Sequence, residues 1–226
     1  MADFDGKRVL VTGAAGALGG AVVAHFASRG GTIALVDVSA IDSPHRSFVC
    51  DLSDAAACVA MADAVADQLG GIDVLANIAG GFAMGEEVHR TTAATWDLMM
   101  GINAGTLLNA VAAVVPHLLQ AGGGKVVNIG AAAGLRGAAR MGAYGAAKSA
   151  VIRLTESMAA ELRERRVNVN CVLPTIIDTP RNRRDMPSAD HGKWVSVDSL
   201  AEVVGFLSSD AARDIHGAAI PVSGLS

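Results

Sequence analysis

The chain has 226 residues, 22 of them acidic and 18 basic, for a net charge of −4. With 51% hydrophobic and 18% charged residues, it has the composition of one globular domain with a sizeable core, not of a disordered segment. The acidic balance speaks against nucleic acid and anionic membrane as partners, because both select a basic face, and leaves a small-molecule substrate as the expected partner.

Lys7 leads into Val-Leu-Val, a short buried-strand pattern that ends at Thr12. Thr12-Gly13-Ala14-Ala15-Gly16-Ala17-Leu18-Gly19 follows and opens an apolar helix to about Ser28. Glycines in this position let the backbone turn tightly against a pyrophosphate, and the first helical amides point at it. A second strand, Thr32 to Val36, ends in Asp37. An acid about 20 residues beyond the glycines suits a bond to a ribose diol and repels a 2′-phosphate. No Lys or Arg lies in the glycine turn or beside Asp37, so the expected cofactor is NAD in preference to NADP.

Ser47 to Cys50 reads as a third strand running into Asp51-Leu52, and 54–69 as an alanine-rich helix capped by Asp54 or Ser53 and closed by Gly70-Gly71. Ile72 to Ala76 is a fourth strand, followed by Asn77-Ile78-Ala79-Gly80-Gly81 and a loop with Phe82 and Met84. Phe82 is either a core aromatic or a wall for a flat ring. A long helix from about Thr95 to Gln120 carries Asn103, strand five is Lys125 to Ile129, and a helix with Tyr144 and Lys148 runs to about Arg163. Strand six, Val167 to Leu173, ends in Pro174-Thr175-Ile176-Ile177-Asp178-Thr179-Pro180; 181–196, with Arg181, Arg183 and Arg184, reads as a solvated lid. A helix near 197–208 and a strand at 218–222 close the chain. This alternation predicts an α/β fold: one Rossmann-like domain over 1–226, a doubly wound parallel sheet flanked by helices.

Cys50, Cys58 and Cys171 have neither C-x-x-C spacing nor an even count, which predicts free thiols in a reducing compartment. The first residues lack the charge order of a signal peptide, and the apolar stretch 104–119 is broken by Asn109, Pro116 and His117, so the expectation is a cytoplasmic protein with no membrane span. The histidines show no metal-ligand spacing, and no metal is expected. Tyr144 and Lys148, four apart, share one face of their helix. An ammonium beside a phenol favours the phenolate and lowers its pKa, so the pair is a candidate general acid/base.

The chain resembles the short-chain dehydrogenase/reductase family over nearly its whole length. The matching motifs are T-G-x-x-x-G-x-G at 12–19, Asp37, Asp51-Leu52, Asn77-Ile78-Ala79-Gly80, Asn103, Tyr144-x-x-x-Lys148 and Pro174-x-x-Ile177-x-Thr179. The resemblance implies Tyr144 as proton donor, Lys148 on the nicotinamide ribose, and Asn103 holding a water that relays protons to Lys148. It places Asp51 and Leu52 at the adenine and Ile177 and Thr179 at the carboxamide. Gly13, Ala15, Gly16, Ala17, Leu18, Gly19, Asn77, Ala79, Gly80 and Pro174 complete the expected cofactor contacts. It also implies a homodimer or homotetramer built through the helices near 95–120 and 142–163.

One departure bears on chemistry. The family's catalytic serine lies thirteen positions before the tyrosine, where this chain has Ala131, and no Ser or Thr occurs from Ile129 to Ala143. Loss of such a hydroxyl removes a transition-state hydrogen bond of about 2–4 kcal/mol. A narrower resemblance, carried by 172–190, Trp194 and Ala79-Gly80-Gly81-Phe82, is to the quinonoid dihydropteridine reductase branch, which keeps Tyr-x-x-x-Lys and also lacks the serine. Its substrate accepts hydride without a polarised ketone. The expectation is thus an NADH-dependent oxidoreductase with Phe82 and Ala131 at the substrate. A carbonyl or alcohol (3-oxoacyl-type) reductase without the serine, and a silent NAD(H)-binding sensor, stand as alternatives.

Overall fold

A computed structural model describes residues 3–225. The strands are β1 (Arg8–Thr12), β2 (Thr32–Asp37), β3 (Arg46–Val49), β4 (Val74–Asn77), β5 (Gly124–Ile129), β6 (Val167–Pro174), β7 (Ile177–Asp178), β8 (Val195–Ser196) and β9 (Ala219–Val222). The helices are α1 (Ala17–Ala27), α2 (Ala55–Leu69), α3 (Ala93–Met100), α4 (Thr106–Gln120), α5 (Gly142–Leu162), α6 (Pro180–Asp185) and α7 (Val197–Ser208). Seven strands form one parallel sheet in the order β3-β2-β1-β4-β5-β6-β9, and β7 and β8 pair separately. The order reverses between β1 and β4, so their carboxyl ends open a crevice where ligands bind in such sheets.

Side chains on a strand alternate between faces, and here they divide cleanly into two cores. Leu10, Leu75 and Val126 pack toward α2, α4 and α5. Val9, Val11, Val74, Ala76 and Val127 pack toward α1 and α7. Both faces are covered, which explains why the strands read as continuous apolar runs. Asp54 caps α2 by accepting from the Ala56 and Ala57 amides, and Gly70, at φ +79°, ends it.

Two regions differ from the sequence expectation. The helix expected over 95–120 is two helices joined by a π-helical turn, Gly101–Gly105. The whole stretch Ala93–Gln120 is long and apolar enough to cross a membrane, yet half of its apolar window is buried in the domain, as suits a core helix. The expected lid over 181–196 instead contains α6 and β8 and a 3-10 turn at His191–Lys193. Two of its three arginines are engaged: Arg183 makes a two-pronged pair with Asp178 at 2.6 and 2.7 Å, and Arg181 lies 3.7 Å from Asp185.

Candidate active site

The glycine turn is shaped by steric necessity. Gly13 sits at φ +65°, and a methyl group built there would stand 2.8 Å from the Ala79 backbone. One on Gly19 would collide with the Gly13 carbonyl oxygen. Gly16 precedes α1 with no side chain to cap it, so the first-turn amides around Ala17 and Leu18 point outward without a side-chain acceptor. Those unsatisfied donors at a helix start are what a pyrophosphate takes up, and the residues present fit a dinucleotide. Asp37 ends β2 beside the turn; its carboxylate accepts from the Ala15 amide at 3.0 Å and the Val38 amide at 2.8 Å. It therefore braces the turn as well as facing the crevice. Asp51, further along this edge, accepts from the Ser53 amide, which holds its carboxyl below the ordinary range. Leu52 beside it is buried.

A chain of buried amides and hydroxyls crosses the sheet behind the crevice. Thr12 Oγ1 donates to Asn77 Oδ1 at 3.1 Å and accepts from the Ile78 and Ala79 amides. Asn77 Nδ2 donates to Asn128 Oδ1 at 3.4 Å, and Asn128 Nδ2 donates to Thr155 Oγ1 at 2.9 Å. Thr155 lies on α5, two turns beyond Lys148. The network thus ties the glycine turn to α5, the helix that carries Tyr144 and Lys148. Sequence reading missed Asn128 and Thr155; the one signal was the paired Asn ends of β4 and β5, which sit side by side in the parallel register.

The π-helical turn aims Asn103 into the site. Its Oδ1 accepts from the Gly81 amide at 3.2 Å, and its Nδ2 donates to the Gly81 and Met99 carbonyls at 3.1 and 3.0 Å. Such turns are frequent where a helix must re-aim a functional side chain. Gly80 completes the arrangement. A methyl group there would stand 2.9 Å from Asn103 Oδ1 and 3.4 Å from Lys148 Nζ. Asn103 and Lys148 therefore meet across a gap that only glycine leaves open.

Lys148 is 5% exposed and donates to the Ile129 carbonyl at 2.8 Å. Burial pulls it down to about 8. Its Nζ lies 5.9 Å from the Tyr144 ring centroid. The expected depression of the phenol does not appear: burial pushes Tyr144 up to about 12. Spacing along the helix brought the two side chains to one face, but burial alone sets the direction for the phenol. Tyr144 is thus a phenol that keeps its proton across the neutral range. Phe82 stands edge-on to it, ring centroids 4.8 Å apart at 89°, and is 44% exposed. Phe82 is no core aromatic; its half-exposed ring stands against the tyrosine.

Ala131 is buried, in extended backbone, at the start of the 3-10 turn Ala132–Gly134. The nearby Ser149 hydroxyl on α5 donates to the Gly134 carbonyl at 2.7 Å, fixing the loop. At the far side, Pro174 ends β6, Ile177 begins β7, and Thr179 caps α6 by accepting from the Asn182 amide at 3.2 Å. Trp194 is 8% exposed and packs on the His191 ring at 4.4 Å, which makes it a packing residue. Cys50, Cys58 and Cys171 are free and buried.

A family model for short chain dehydrogenases matches residues 7–190. The chain is 36% identical over 242 residues to a D-threitol dehydrogenase of Mycolicibacterium smegmatis, covering 98% of this chain and 93% of that one. It is 34% identical to a meso-2,3-butanediol dehydrogenase of Serratia marcescens over 98% of this chain and 94% of that one. Among solved structures, NAD+-bound xylitol dehydrogenase superposes with a TM-score of 0.90 at 26% identity, covering 98% of this chain and 99% of that one.

Proposed function

Because the chain belongs to the short-chain dehydrogenase family, whose model matches residues 7–190, we propose that it is an NAD(H)-dependent oxidoreductase in which Tyr144 exchanges the substrate's proton. The bound nicotinamide supplies or accepts the hydride. The backbone of Ala15 to Gly19 holds the pyrophosphate, Asp37 the adenosine ribose, and Asp51 and Leu52 the adenine. Asn77, Ala79 and Gly80 form the floor, and Pro174, Ile177 and Thr179 the wall beside the carboxamide. The preference for NADH rests on the Asp37 carboxylate, which would repel a 2′-phosphate and has no cation in the adjoining turn to offset it. Lys148 orients the nicotinamide ribose and, below pH about 8, presents a positive charge behind the phenol. Asn103 holds Gly81 and faces Lys148 across Gly80, the position from which it would order a proton-relaying water. The buried free thiols suit a reducing compartment such as the cytoplasm.

The substrate is read from one observation: the site keeps Tyr144, Lys148 and Asn103 and has Ala131 where a hydroxyl would polarise a carbonyl. A substrate that is already electrophilic needs no such donor. A planar quinonoid dihydropterin fits this requirement and the half-exposed face of Phe82. The second reading is a small secondary alcohol or ketone, supported by similarity to the threitol and butanediol dehydrogenases. Tyr144 would then stabilise the developing oxyanion alone. The retained tyrosine speaks against a silent sensor, since dinucleotide binding does not require a proton donor. Steady-state oxidation of NADH and NADPH with quinonoid dihydropterin, simple ketones and vicinal diols tests the reading. Pterin turnover with NADH, above that of any ketone, is the expected result. Brisk ketone or diol turnover without pterin activity establishes the second reading instead.

A further inference from the structure

At the amino ends of the strands, on the edge of the sheet opposite the crevice, lies an open cavity of about 420 Å³. That size falls in the range of small-ligand sites. Lys7, Lys125, Arg163, Arg166 and Arg213 line it, against two carboxylates, Asp73 and Asp210. Asp73 is already committed to Arg8, at 2.7 Å. Among the described residues, Lys7, Lys125, Arg163 and Arg166 make no ion pair, whereas Arg213 lies 3.6 Å from Asp214. An acidic protein has thus gathered four cations without a direct ion pair around one hollow, more positive charge than the facing Asp210 and the committed Asp73 balance, and the residual self-repulsion favours a bound anion.

The hollow is also built. Asn168 is 5% exposed, and its Nδ2 donates to the Arg213 and Ile215 carbonyls at 2.7 and 3.0 Å. This fixes its Oδ1, which accepts from Lys125 Nζ at 2.8 Å. The ammonium is held in place with two of its three protons uncommitted. Burial draws Lys125 below its ordinary range, against the opposing pull of Asp210 and Asp214 and with Lys7 and Arg213 adding to the effect. Arg166, at φ +61°, turns the chain between α5 and β6, and its carbonyl accepts from the Gly124 amide at 3.0 Å. The rim of the hollow is therefore anchored to β5 and β6.

We propose that this cavity binds a compact small-molecule polyanion carrying at least two phosphate or carboxylate charges. Guanidinium forks and a fixed ammonium suit either oxyanion. The inference does not rest on the active-site reading. Isothermal titration with pyrophosphate and with citrate, at constant ionic strength, tests it on protein saturated with NADH, so that the anion subsite of the glycine turn is filled. One-site binding of either probe with a Kd below roughly 1 mM is expected. Lys125→Gln and Arg163→Gln should each weaken it by about tenfold or more, and Arg153→Gln, on the outer face of α5, should not. Arg163 is exposed at a helix end, so its variant reports on binding even if Lys125→Gln folds poorly. Binding of pyrophosphate alone assigns a phosphate ligand, and binding of citrate alone a polycarboxylate. Absence of saturable binding by both probes, or equal affinity in the wild type and the two cavity variants, overturns the proposal.

Discussion

The proposed function assigns proton exchange to one hydroxyl, and the consequences of removing or adding a hydroxyl nearby are unequal. Tyr144→Phe keeps the ring against Phe82 and removes only the hydroxyl. Turnover should fall by at least ~10²-fold, the scale of a general acid, with NADH affinity nearly unchanged by fluorescence titration; a kcat near that of the wild type would refute the acid role. Ala131→Ser restores an oxyanion donor at a buried position on the site's edge. Ketone reduction should rise by up to ~10²-fold, while turnover of a quinonoid dihydropterin hardly changes, because no oxygen there needs polarising. A parallel rise on both substrates in steady-state assays would show that Ala131 does not discriminate between them.

At the scale of elements, the burial of α5 against the sheet governs Lys148. A lysine drawn down to about 8 from its ordinary 10.5 penalises the folded state while it is charged. The penalty is complete below pH 8 and fades as pH rises toward 10.5, where the unfolded chain also loses the proton. Urea unfolding without dinucleotide should therefore show the wild type gaining on Lys148→Met by ~2 kcal/mol between pH 7.5 and 10. A pH-independent difference would mean that the ammonium is better solvated than its burial implies. What the sequence disclosed about these elements follows from local signals. The glycine turn, Asp37 and the Tyr-Lys spacing are short-range patterns, and each lands in the crevice. The π-helical turn was hidden because Met99 to Thr106 continues an apolar helical pattern. β7, β8 and α6 were hidden by their brevity and by the arginine run. The Asn77–Asn128–Thr155 network needs the strand register, and the raised Tyr144 needs the burial, neither of which spacing along a chain reveals.

At the scale of the whole molecule, the helical stretch from α3 to α4 leaves Trp96, Leu98 and Leu108 roughly half exposed, at 45, 54 and 46%. We propose that this face and α5 pair two copies of the chain. Light scattering after gel filtration should give a dimer or tetramer, and Leu108→Glu should shift it toward a smaller species without unfolding it, as a charge in an apolar interface does. A monomeric wild type at micromolar concentration would remove the proposal.

The three thiols carry a different implication. Cys50, Cys58 and Cys171 are each at most 4% exposed, and burial pushes Cys58 up to about 12 and Cys171 to about 11. Neither a maleimide nor an aromatic disulfide can reach a reactive thiolate while the fold is closed. Labelling in native buffer therefore keeps time on spontaneous opening, with the protein as its own stopwatch. Cys50 and Cys58 flank Asp51-Leu52 at the proposed adenine end, whereas Cys171 sits in the middle of β6, so the order of modification separates fraying of that edge from rupture of the sheet. Bound NADH should slow the first two adducts more than the third.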